Sequence, residues 1–195
     1  DATMWRLALA RQIGAAYGVN PNVAAVYIAG SVARGWADRY SDIELDVYWS
    51  IPPSDAERLE IIRRAGGEVD VNWGAPPGDA EYRTLLLKLQ GHVSQVWPYE
   101  DSEWSEHFYV HGVNVGVSAF LAETMDKWLA DVVERFDTDD DKHMRVAAVQ
   151  HAVPVHGDQR IARWKAGIRY PDELAHALIA EQLVVDESWW QCDML

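Results

Sequence analysis

The sequence is poor in cysteine, in basic residues and in long hydrophobic runs. Cys192 is the single cysteine among 195 residues, so no intrachain disulfide can form, which agrees with a reducing cytoplasm, and the thiol is not expected to do chemistry. Lys and Arg number 17 against 31 Asp and Glu, a formal net charge of −14. A broad nucleic-acid interface concentrates cations against phosphates, so this balance argues against nucleic acid as substrate. No apolar run approaches the roughly 18–20 residues that a bilayer-spanning helix requires. The stretch from Asp1 through Trp5 to Ile13 reads as an amphipathic helix, without a charged-then-apolar export signal and its cleavage site. The expectation is a soluble, cytoplasmic protein with no membrane partner. Position 1 is Asp and the chain stops soon after a Trp-rich stretch, so either end is expected to be processed or trimmed and the C-terminal part truncated.

What is present suffices for a sizeable core. The hydrophobic fraction of 49% fits one domain, or one domain with a compact helical appendage. The acidic surface can draw in a cationic small molecule or simply keep the chain soluble, the commoner explanation.

Periodicity organises the chain. Trp5, Leu9, Ile13 and Tyr17 recur every four residues before Gly18, a helix with a glycine stop. Val23 to Ala29 reads as a buried strand ending in Gly30-Ser31, where a second helix can begin. From Asp42 to Trp49 the residues alternate, with Asp42, Glu44 and Asp46 on one face and Ile43, Leu45 and Val47 on the other: one face dry, one carboxylate. Ser54 and Glu57 have capping-box spacing ahead of a helix that Gly66-Gly67 ends. Glu68 to Trp73 alternates again, Ala75 to Asp79 reads as a loop, a helix is expected around Tyr82 to Leu89, and Val96 to Glu106 is ambiguous. Phe108 to Val110 and Val113 to Phe120, joined by His111-Gly112, form an expected hairpin with Val113, Val115 and Val117 inward. Met125, Trp128, Leu129, Val132, Val133 and Phe136 mark a helix, and further helical stretches run from Asp139 to Val185. The acidic run Asp137 to Asp141 is read as a solvated face, with favourable charge at the next helix's N-terminus as the alternative. Strands first and helices last give an α+β fold: a mixed sheet with flanking helices over residues 1–120, then a helical domain over 121–195.

The stretch from Gly30 to Val47 carries the chemistry. Gly30 lets backbone approach a phosphate closely, the Ser31 hydroxyl and nearby amides can donate to its oxygens, and Arg34 adds a cation. Asp42 and Glu44 on one strand face supply two hard oxygen ligands for Mg²⁺, one ion or two. Asp46 lies about 13 Å along the strand from Asp42, too far to share that metal.

These residues resemble the signature of the nucleotidyltransferase superfamily, the polymerase-β-like fold of aminoglycoside and lincosamide nucleotidyltransferases and of the minimal members in toxin–antitoxin pairs. The resemblance is close over residues 29–47 and thins beyond them. It implies that Gly30 and Ser31 hold the phosphates of a nucleoside triphosphate (NTP), that Asp42 and Glu44 hold metal, and that a small-molecule acceptor, an antibiotic in resistance enzymes, sits between sheet and helical half. It also implies a third carboxylate on a neighbouring strand, which pattern places on Val113 to Ser118. Asn114, Gly116 and Ser118 are the outward residues there, and Gly116 stands where an Asp is expected. Asp70 is a possible substitute, although an exposed edge strand is the preferred reading of its segment, and the general base is unassigned. Competing readings are a nucleotide-binding pseudoenzyme and a protein-nucleotidylating, antitoxin-like transferase; whether the helical half forms a homodimer is left open. His107 and His111 fall on strand and turn, so a zinc site is not expected and ordinary solvated histidines are the default. Trp189, Trp190 and Lys165 are given no role.

Overall fold

The computed structural model describes residues 2–69 and 103–178. In chain order these form α1 (Ala2–Gly18), β1 (Val23–Ile28), α2 (Gly30–Arg34), β2 (Ile43–Trp49), α3 (Asp55–Arg64), β3 (Glu68–Val69), β4 (Trp104–Val110), β5 (Val113–Leu121), α4 (Ala122–Glu134), α5 (Asp140–His151), β6 (Val153–His156) and α6 (Asp158–Gly167), and residues 172–178 are helical. The strands make one six-stranded sheet, ordered β3-β4-β5-β2-β1-β6. β2 and β5 run parallel and the other neighbours antiparallel, so the α+β expectation with a mixed sheet and flanking helices is met. Asp70 and the rest of its segment, the expected loop and helix up to Leu89, the segment from Val96 to residue 102, and Trp189, Trp190 and Cys192 lie outside the described residues.

Local signals work where they are strong. Ser54 and Glu57 form a reciprocal capping box at the start of α3, and these bonds hold the Glu57 carboxyl down to about 2. His111 and Gly112 take φ of 51° and 76°, the paired left-handed conformation of a two-residue hairpin turn, and β4 and β5 pair from Val110 opposite Val113 outward.

The dry face of β2 is as expected: Ile43, Leu45, Val47 and Trp49 are buried with Val26, Ile28, Val115, Val117 and Phe108, in a core to which α1 adds Leu9, Ile13 and Tyr17. Trp5 departs from its stripe. It is exposed and Arg6 is buried instead, because the start of α1 lies against the loop before β2, where Arg6 donates from Nε to the Ser41 carbonyl (2.7 Å) and from Nη2 to the Arg39 carbonyl (2.8 Å).

The opposite face is not simply a wet carboxylate face. Tyr27, Tyr48 and Phe120 join Met125, Val132, Val146, Val149, Ile161 and Trp164 in a second core, so α4, α5 and α6 cover that part of the sheet. β6, absent from the sequence reading, pairs with β1 at the sheet edge; four residues including Pro154 give a weak strand signal, and proline is tolerated at an edge. The acidic run is partly structural: Asp139 caps α5 through the Lys142 amide (3.0 Å), and Asp137 with Asp131 grips the Lys142 ammonium. Lys165 donates to the Ala152 carbonyl (2.6 Å), closing the end of α5. Among the described residues no helix is long and apolar enough to cross a membrane.

Candidate active site

The end of β1 turns sharply beside β2. The Ala29 amide donates to the Glu44 carbonyl (3.0 Å), and Gly30 follows with a φ of +60°. That left-handed conformation strains any residue with a Cβ, and a Cβ at Gly30 would overlap the Glu44 carboxylate. The glycine therefore serves twice: it makes the turn, and it leaves the space that Glu44 occupies. Ser31 follows in the five-residue α2, which ends at Gly35 with a φ of 78°. Arg34 is exposed, with its guanidinium 5.9 Å from the Trp36 ring centre, and its charge favours the ionised form of Glu44.

The loop between α2 and β2 is braced from within and without. The Asp38 carboxylate accepts from the Tyr40 amide (2.9 Å), the Ser41 amide (3.0 Å) and the Ser41 hydroxyl (3.0 Å), which hold its carboxyl below the usual range. From outside, Arg6 and Thr3 on α1 donate to the carbonyls of Arg39, Ser41 and Ala37. Asp42 thus stands just before β2, at the end of a loop hydrogen-bonded at Ala37, Arg39 and Ser41 to α1.

Along β2 the carboxylates pass from open to buried. Asp42 and Glu44 are exposed, whereas Asp46 is 4% exposed and lies 3.8 Å from Arg145 of α5. Burial pushes the Asp46 carboxyl up, opposed by Arg145 and the Tyr27 hydroxyl. Glu44 is also raised, by partial desolvation first and then by the charges of Asp42 and Asp46, with Arg34 and Arg145 opposing. The structure therefore brings Gly30, Arg34, Asp42 and Glu44 together and turns Asp46 toward the helices.

On the neighbouring strand, Gly116 pairs directly with Glu44 and Ser118 with Asp46, so the position read as lacking its carboxylate lies beside the pair. Among the described residues no group of three or more His, Cys, Asp and Glu side chains is arranged to hold a metal ion. Two adjacent carboxylates nevertheless suit Mg²⁺, which takes one or two from protein and completes its shell with water and substrate phosphates.

One residue of this row escapes a reading of histidines by their spacing. His107 on β4 is the partner of Gly116, and a Cβ on Gly116 would lie 3.7 Å from its Cε1 and 3.9 Å from its Nδ1. The hairpin turn contains the signal: with Val110 opposite Val113, stepping three residues out along each strand pairs His107 with Gly116. No family model matches the chain and no curated protein matches it. The chemistry of the site carries the functional reading.

Proposed function

We propose that the chain is a nucleotidyltransferase with a polymerase-β-like fold, transferring a nucleoside monophosphate from an NTP to a hydroxyl of a small molecule and releasing pyrophosphate. The observation that carries this reading is the Glu44 carboxylate seated over the Gly30 turn. It puts the backbone suited to phosphate and the carboxylates suited to a divalent cation at one place, as a metal-bound triphosphate requires.

In this reading Gly30 and Ser31 approach the phosphates, Arg34 adds a cation, and Asp42 and Glu44 hold Mg²⁺. An ion held there would supply positive charge to polarise the phosphoryl group and to offset charge on the leaving pyrophosphate. The protein's own contribution is positioning. The brace on the loop at residues 38–41 fixes Asp42, and the α4–α6 helices, as a C-terminal helical part, wall the acceptor side. The acidic chain suits a cationic acceptor, so an aminoglycoside is the first candidate and a lincosamide the second, in a cytoplasmic enzyme.

A second reading, carried by Gly116, is a nucleotide-binding chain that does not turn over. The two are separated by incubating the chain with each α-labelled NTP, Mg²⁺ and a panel of aminoglycosides and lincosamides, beside Asp42→Asn and Glu44→Gln. Label transfer that both substitutions abolish supports the enzyme. Metal-dependent binding without transfer supports the second reading, and no binding contradicts both.

A further inference from the structure

Attack by a hydroxyl requires a group to take its proton, and Gly116 offers none. We infer that His107 is that proton acceptor, its imidazole replacing the absent carboxylate from the adjacent strand. This rests on the nucleotidyl-transfer reading.

The register of three strands supports it. Glu44 on β2, Gly116 on β5 and His107 on β4 lie side by side in one row across the sheet. Neighbouring strands are about 4.8 Å apart, so Glu44 and His107 are separated by roughly 10 Å of backbone, with the side-chain-free Gly116 between them. The result is a gap with a carboxylate on one side and an imidazole on the other. The ring edge reaches over Gly116, with Cε1 3.7 Å and Nδ1 3.9 Å from where a Cβ would stand. An Asp at 116 would put its carboxylate beside that ring edge. His107 is exposed and remains reachable by a substrate.

Among the described residues, the serine and amide side chains around Gly116 do not suit the task. Ser105 and Ser118 lie in the next row opposite Asp46, and Asn114 pairs with Tyr109 nearer the turn. Hydroxyls and amides are poor proton acceptors at neutral pH, whereas imidazole both takes and releases a proton there. Glu106 precedes His107 but points into the opposite core, fully engaged by Arg58 and Tyr17.

The step balances. The acceptor hydroxyl gives its proton to the His107 imidazole as its oxygen forms a bond to the α-phosphorus. The bond from that phosphorus to the bridging oxygen breaks, pyrophosphate leaves with the electron pair, and the imidazolium returns its proton to solvent.

The test compares wild type, Asp42→Asn, His107→Ala and His107→Ala/Gly116→Asp, with kanamycin and lincomycin as acceptors. Turnover is read with and without added imidazole, MgNTP affinity by calorimetry and folding by thermal melting. His107→Ala is expected to lower kcat by about 10²- to 10⁴-fold while MgNTP affinity and melting stay near wild type. Added imidazole or Gly116→Asp is expected to restore part of the rate. His107→Ala retaining its kcat, or losing it with rescue by neither route, overturns the inference while leaving nucleotidyl transfer intact if Asp42→Asn is dead. Wild type transferring to neither acceptor removes both together.

Discussion

Glu44 and Glu106 are two glutamates of one sheet, on opposite faces and two strands apart, and their surroundings differ in kind. Loss of hydration is the first cause raising both carboxyls, partial at the exposed Glu44 and complete at Glu106. Glu106, 1% exposed, is then satisfied: Arg58 Nε donates to it at 2.8 Å, the Tyr17 hydroxyl donates to its other oxygen, and the same guanidinium reaches the Ser105 carbonyl (2.9 Å). Glu44 instead has Asp42 and Asp46 as its next influences, both of like charge. A fully hydrogen-bonded buried ion pair locks α1, α3 and β4 together. Carboxylates of like charge beside a glycine turn are an arrangement that a cation would relieve, which is why the proposed function puts the metal on Asp42 and Glu44.

The contrast can be broken most forcefully on the structural side. Arg58→Ala leaves Glu106 buried without its cation, and a loss of about 3–5 kcal/mol is expected in denaturant unfolding. On the other face, Glu44→Gln and Asp42→Asn are expected to leave the fold intact and cut nucleotidyl transfer at least about 100-fold, more than outer-shell changes to a metal site cost. Gly30→Ala joins the two effects. It is expected to weaken MgNTP binding by forcing Glu44 aside and to cost about 1–2 kcal/mol of stability through the left-handed backbone.

Smaller effects sharpen the comparison through pH. The folded-state carboxyl of Glu44 lies above its unfolded value, so its ionisation opposes folding at neutral pH. Glu44→Gln is therefore expected to raise the metal-free melting temperature slightly at pH 7, with the gain gone below about pH 4, where the unfolded carboxyl is protonated too. Glu57 is the reverse case. Its carboxyl is depressed to about 2, so its stabilisation is present above the unfolded value and fades as pH falls from about 4.3 toward 2. Ser54→Ala is expected to cost about 1 kcal/mol at neutral pH and to flatten that acid limb in melting curves.

The sequence was most legible where a few neighbouring residues decide the geometry. The Ser54/Glu57 box, the His111-Gly112 turn and the dry face of β2 are all short-range, and each is found in place, whereas the other face of β2 is open only as far as Glu44. What depends on a distant element was not legible. Arg145 lies in a helix whose pattern says nothing about which strand it meets, so the burial of Asp46 could not be read from Asp42-Ile43-Glu44-Leu45-Asp46. Arg6 interrupts an apolar stripe and looks like a surface residue until the loop at 39–41 is placed against it. His107 lies between these cases, because hairpin register fixes its row while its mutual spacing with His111 suggests nothing.

The central claim is that the open face of β2 holds a metal-bound triphosphate. Calorimetric titration of NTPs with and without Mg²⁺ tests it most directly, using wild type, Asp42→Asn, Glu44→Gln and Asp46→Asn. The expected result is binding that requires the metal, is lost on substituting Asp42 or Glu44, and survives at Asp46, whose carboxylate faces Arg145. Binding indifferent to the metal, or to Asp42 and Glu44, would contradict it.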